Sequence, residues 1–133
     1  RRQERKGGGE RRGRRESPMR EKAADALARI VNGTHGLLCI VVSDRDGVEL
    51  HRTGRDGGNP VVLAPALLAT FALTAEQVGK LQLGEGSITS IYDNLVVVHS
   101  STGSFTICMV AETGANIGMA MALMPAVRAL FAE

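Results

Sequence analysis

Three histidines, two cysteines and one short acidic turn are the residues of this 133-residue chain whose types could carry chemistry. His35, His51 and His99 have side chains able to ligate a metal or move a proton near neutral pH. They fall in three different elements, with no carboxylate or cysteine at ligand spacing, and read as surface or strand histidines. Asp44-Arg45-Asp46-Gly47 begins like a calcium loop, but its glycine comes two positions early and Arg55 stands where the twelfth-position glutamate belongs. It reads as a tight turn. Cys39 and Cys108 lie inside the apolar runs LLCIVV and FTICMV, a setting that predicts buried, reduced and inert thiols in place of a disulfide or a nucleophile. Ser100, Ser101, Thr102 and Ser104 offer hydroxyls for phosphorylation or anion binding, and read as a polar hairpin loop. There is no Gly-x-Ser-x-Gly elbow; Gly79-Lys80 is followed by Leu81 and cannot be a Walker lysine; Gly84-Glu85-Gly86 lacks the third glycine of a dinucleotide loop. The expectation is a protein that is not an enzyme, with no catalytic residues, no metal site and no cofactor.

Charge divides the chain unevenly. Residues 1–22 hold ten Lys or Arg against four Glu, a net of +6, and the remaining residues hold six against ten, a net of −4. Residues 1–18 (RRQERKGGGERRGRRESP) contain no apolar side chain before Pro18, too little to offset the entropy of ordering, and are expected to be a disordered basic tail ahead of a domain over 19–133. Such a tail can meet nucleic acid or an anionic membrane through salt-sensitive phosphate attraction. With no aromatic residue interleaved for base stacking, it reads as a solvated extension, and nucleic acid is not the expected partner. It also lacks the apolar stretch of a secretory signal. On that reading the acceptor pattern Asn32-Gly33-Thr34 is not expected to carry a glycan. The longest apolar run, residues 117–127, has 11 residues and includes Gly118 and Pro125, short of the roughly 18 needed to span a bilayer.

The elements that must position any site follow from periodicity. Residues 19–31 (MREKAADALARIV) place Ala23, Leu27, Ile30 and Val31 on one helical face, with Ser17-Pro18 able to start the turn. Residues 37–43 form a continuous β-branched run suited to a buried strand. Asp46-Gly47 supplies the reversal, and residues 48–53 alternate as a half-solvated second strand. Residues 54–60 (GRDGGNP) are a loop on composition. A helix over 65–81 opens with Pro65 where its missing N–H costs little. Strands over 87–92, 95–100 and 104–111 follow, and a last helix runs from Thr113 or Asn116 as N-cap to about Phe131. Helix, two strands, helix, three strands, helix predicts an α+β domain: a five-stranded antiparallel sheet with helices on its faces.

Two of these helices are too apolar for so small a domain. At 100° per residue, residues 65–81 put Leu67, Leu68, Phe71, Ala75 and Val78 on one stripe, expected to face the sheet, and leave Leu73, Ala66 and Ala69 outside it. Charge comes only with Glu76 and Lys80. The last helix carries no polar side chain between Ile117 and Val127, its Met119, Met121 and Met124 make part of it adaptable, and Pro125 is expected to bend it or loosen its ladder. Surplus apolar surface of this kind marks contacts with another protein.

At Val41-Val42-Ser43-Asp44-Arg45-Asp46-Gly47-Val48 and Thr70-Phe71-Ala72-Leu73-Thr74 the sequence resembles the MEK-partner family of roadblock-type MAP-kinase scaffold subunits of the Ragulator complex. The likeness continues through Gln77-Val78-Gly79-Lys80-Leu81, the strand over 87–92, Ala115-Asn116-Ile117-Gly118 and Leu130-Phe131, and covers roughly residues 35 to 131. The resemblance implies a roadblock/profilin-like layered fold in the order α-β-β-α-β-β-β-α, without an active site. It implies pairing with a second roadblock-type subunit, middle helix against middle helix and third strand against third strand. The expected contact residues are Ala66, Ala69, Thr70, Leu73 and Gln77 on the helix, with Ser87, Ile88, Thr89, Ser90 and Ile91 on the strand. It further implies a heterodimer wrapped by a lipidated Ragulator subunit on the cytoplasmic face of late endosomes and lysosomes. There the complex docks Rag GTPases, which recruit TOR kinase when amino acids are plentiful, and scaffolds MEK and ERK. This subunit is expected to reach that membrane peripherally, through its partners. The other reading is a homodimeric roadblock module that regulates a small GTPase or a dynein motor directly. Three features depart from the family pattern: the Arg/Gly tail, the short loop over 54–60, and Pro125 with fewer acidic residues in the last helix.

Overall fold

The computed structural model describes residues 17–131. Helix α1 spans Ser17–Gly33, strand β1 Leu37–Ser43, β2 Glu49–Gly54, helix α2 Pro65–Gly79, strands β3 Ile88–Ile91, β4 Leu95–Thr102 and β5 Phe105–Glu112, and helix α3 Ile117–Leu130. The expected order of elements holds. Helix α1 begins at Ser17, two residues ahead of the boundary expected from composition, and most of the basic tail, residues 1–16, lies outside the described residues.

The five strands form one antiparallel sheet in the order β2-β1-β5-β4-β3. β5 returns between β1 and β4, so the most apolar strands occupy the centre. Side chains alternate across the sheet. Leu37, Ile40, Val42, Val98, Ile107 and Met109 meet Leu27 and Val31 of α1 and Ala120, Met124 and Val127 of α3 on one face. Cys39, Val41, Val97, Cys108 and Val110 meet Leu63, Leu68 and Phe71 on the other, the face covered by α2. One core is a sheet face sealed by the apolar stripes of α1 and α3, the other a face sealed by α2.

Local chemistry sets the junctions. Asp44 Oδ1 accepts the backbone N–H groups of Asp46 and Val48, each at 2.9 Å, so the residue that could have opened a calcium loop closes the β1–β2 turn. Asn116 caps α3, its side chain accepting the Met119 N–H at 3.0 Å. Helix α3 continues through Pro125, whose ring lies on the exposed side. There the hydrogen bond it cannot donate is lost to solvent and not to the core.

Arg55, in the loop after β2, does what neither its position nor its neighbours in sequence suggest. Its Nη1 donates to the carbonyl oxygens of Val31 (3.1 Å), Thr34 (3.0 Å) and Leu37 (2.9 Å). The Asp56 N–H is bound by Asn32 Oδ1 at 2.9 Å. The loop thereby closes the C-terminal end of α1, where carbonyls lack partners and cation charge is favoured. Arg55→Ala is expected to lower stability by about 2 kcal/mol, the scale of charge-assisted hydrogen bonds to part-buried acceptors. Urea unfolding measures this as a fall in midpoint at unchanged slope.

Candidate partner interface

Helix α2 is turned on the sheet relative to the expected stripe. Leu68, Phe71, Ala72 and Ala75 are buried, while Leu67 and Val78, expected in the core, are 36% and 41% exposed. The physical reason lies at the N-terminal end. The β1–β2 turn brings Gly47 against Pro65 and Ala69, so closely that a Cβ there would stand 2.9 Å from Ala69 N. Small side chains at Ala69, Ala72 and Ala75 let the helix settle on that side, which leaves Leu67 and Val78 partly exposed, Val78 lining the cleft beside β3. The outward surface of α2 therefore carries Ala66, Leu67, Thr70, Leu73, Gln77 and Val78, with Leu73 55% exposed. Ala69, which sequence grouped with them, is half-buried against the turn.

This surface is less polar than its composition suggests. Thr70 Oγ1 donates to the Ala66 carbonyl and Thr74 Oγ1 to the Thr70 carbonyl, both at 2.8 Å. Both hydroxyl protons are spent inside the helix. Leu81 and Leu83, in the segment after α2, extend the exposed apolar surface.

The two sheet edges differ. At one edge β2 carries Glu49 and Arg52, paired at 2.6 Å, and the guanidinium holds the Glu49 carboxyl below its usual range. Charged side chains are a common guard against edge pairing. At the other edge β3 (ITSI) has no charge and pairs, among the described residues, only with β4. Ser87, Ile88, Thr89 and Ser90 are half-buried and Ile91 is 70% exposed. By register Ile88 and Ser90 share the α2 face with His99 and Val97, and Thr89 and Ile91 share the opposite face with Val98 and Val96. The uncharged edge and the outer side of α2 thus adjoin on the same flank. Between them lies a cleft of about 570 Å³ lined by Ala75, Val78, Leu83, Ile88 and His99 among others.

The residues first considered for chemistry are not gathered. His51 bonds Thr53 at 2.8 Å on β2, His35 is exposed in the α1–β1 connection, and His99 is 1% exposed in the sheet, stacked on Phe71 with ring centroids 4.6 Å apart. Among the described residues no three His, Cys, Asp or Glu side chains stand close enough to hold a metal ion, and no helix is long and apolar enough to cross a membrane. Cys39 and Cys108 are free and buried, their thiols pushed up to about 11 and about 12 chiefly by desolvation. A thiol reagent at pH 8 is expected to label neither in the native chain and both in urea. Rapid labelling of the native chain would contradict this packing.

Comparison with known proteins agrees with this geometry. A family model described as mitogen-activated protein kinase kinase 1 interacting matches residues 21–133. The chain is 34% identical over 116 residues to the Ragulator complex protein LAMTOR3-A of Xenopus laevis, covering 86% of this chain and 94% of that one. In structure it is similar to the gliding protein MglB of Thermus thermophilus, with a TM-score of 0.65 at 16% identity, covering 84% of this chain and 87% of that one. A Roadblock/LC7 domain from Streptomyces avermitilis superposes with a TM-score of 0.61 at 13% identity, over 80% of this chain and 91% of that domain. At such identities the two structures speak for the fold alone, and that fold is the roadblock arrangement of a five-stranded sheet between helices. With the match running through all three helices and all five strands, the chain belongs to the mitogen-activated protein kinase kinase 1 interacting family.

Proposed function

We propose that this chain is a non-catalytic scaffold subunit that pairs with a second roadblock-type subunit in a Ragulator-like complex. The observation that carries the reading is the adjacency of two unpartnered surfaces, the apolar outer side of α2 and the uncharged edge of β3. Exposed Leu67, Leu73, Val78, Leu81 and Leu83 on one flank are the kind of apolar surface that marks a protein contact. Edge-strand addition supplies backbone hydrogen bonds, and the α2 side chains supply the packing. Ala66, Thr70, Leu73 and Gln77 form the helix contact, and residues 87–91 form the strand contact. Leu67 and Val78 join them because of the helix rotation. Such a pair buries on the order of 1,200 to 2,000 Å² in total.

The relatives' membership of Ragulator supports the rest of the assignment. The pair is wrapped by a lipidated subunit and held peripherally on late endosomes and lysosomes. There it docks Rag GTPases for amino-acid activation of TOR kinase and brings MEK and ERK together. Affinity capture of the full chain from native lysate, followed by mass spectrometry, tests this. Recovery of a second roadblock subunit with Rag-type GTPases is the expected result. Recovery of further copies of this chain alone would replace the reading with a homodimeric module.

A further inference from the structure

His99 is the one titratable side chain among the described residues that is at once 1% exposed and without a hydrogen-bond partner at either ring nitrogen. An imidazole in that setting must be neutral, since a buried cation with no acceptor has lost its hydration for nothing. Its position makes the protonation state matter. The ring stacks on Phe71, the aromatic anchor of α2, at an interplanar angle of 25°. Its backbone neighbours are Ile88 of β3 on one side and Cys108 of β5 on the other. It also lines the cleft between α2 and β3.

We propose that His99 is a proton-sensitive latch for the α2–β3 side of the molecule. The neutral ring seats α2 on the sheet, and uptake of one proton from solvent at a ring nitrogen drives it toward the cleft and loosens α2 and β3. At the edge of the cleft Arg128 of α3 donates to the Gly86 carbonyl (3.2 Å) and to Ser100 Oγ (3.0 Å), a nearby cation that further disfavours imidazolium. From α2 the ring meets Phe71, and Ala75 and Val78 share its cleft; Glu76 and Lys80 are exposed. β3 offers Ile88, and β5 offers the Cys108 thiol, which burial keeps neutral, as it does Cys39 on the same face. Glu85 lines the cleft from an exposed linker and does not bond the ring. Nothing stands ready to stabilise imidazolium in place, and the cleft is its way to water.

Burial holds the folded-state imidazole below its ordinary 6.5. As pH falls, the unfolded chain binds the proton first, so the stability His99 gives is complete above about pH 6.5 and is lost as pH drops toward the folded-state value. Between pH 7.5 and 5.5 the unfolding constant should rise up to about tenfold more in the wild type than in His99→Phe, which keeps the stack and cannot titrate. His35 and His51 are common to both chains and cancel.

The experiment combines urea unfolding of both proteins at the two pH values with NMR titration and amide exchange of the wild type. The expected results are the excess acid sensitivity, a His99 ring that stays neutral at pH 6.5, and lower protection of residues 65–79 and 88–91 at pH 5.5. Equal pH dependence of the two proteins, or a His99 ring titrating at its ordinary value with protection unchanged, would overturn the latch. Should His99→Phe not fold, the wild-type titration and exchange decide the matter alone. Any effect of the latch on subunit pairing rests on the function proposed above. A latch that passes these tests while partner capture stays equal at both pH values would count against that pairing face and not against His99.

Discussion

Leu73→Asp is expected to weaken capture of the partner subunit by more than a hundredfold while leaving the chain folded. The side chain is 55% exposed on the outer side of α2, so in the free protein the new carboxylate is hydrated. The fold loses only helix propensity, about half a kcal/mol. In the proposed pair the same carboxylate would be stripped of water beneath the partner, at a cost of roughly 3 kcal/mol or more. That is over two decades in Kd. Co-purification measures the loss, and circular dichroism confirms that the variant keeps its helices. Leu68→Asp, on the same helix but buried, should instead unfold the chain. If Leu73→Asp recovered its partner at wild-type yield, α2 would not be the contact surface.

Gly47→Ala is expected to cost about 3 kcal/mol of stability, a large effect for a single methyl group. Gly47 has φ +88, a conformation that costs other residues roughly 1–2 kcal/mol. A Cβ there also collides with the Pro65 carbonyl oxygen and approaches Ala69 N to 2.9 Å. The turn would have to move away from α2 or push the helix off its seat. Gly57 separates the two contributions, since its φ is +73 but a Cβ there meets nothing within 4 Å. Gly57→Ala should cost only the conformational part. Urea midpoints of the two variants give the difference. Equal losses would show that the turn does not set the position of α2.

The contact between Gly47 and Ala69 also explains what the sequence could not reveal about the interface. A helix that is apolar nearly all round has no unique buried stripe, so its periodicity cannot choose between Leu67 and Ala72 as core. The choice is made by close approach of a turn about 20 residues away in the chain. Thr70 and Thr74 read as polar, but their hydroxyls turn back on the helix, a choice of rotamer that composition does not fix. Arg55 is similar, since its carbonyl partners lie 18 to 24 residues earlier. His99 directly follows Val96-Val97-Val98 in a strand flanked on both sides, a setting that marks it as buried.

What was legible rested on local rules. Asp44 to Gly47 marks its reversal by composition, the β-branched run of β1 marks a central strand, and Thr113 or Asn116 marks the approach of α3, where the structure selects Asn116. The element order followed from these. Periodicity also set Leu73 outside the core stripe of α2; Ile88 as a strand contact came only from the family resemblance, and both remain contacts proposed for the pair.

Hydrogen–deuterium exchange of the chain alone and bound to the captured roadblock subunit tests the central claim most directly. The proposed pairing predicts new protection over residues 65–79 and 88–91, with the β2 edge at residues 49–54 unchanged. Protection at β2 with α2 and β3 exchanging as in the free chain would contradict it.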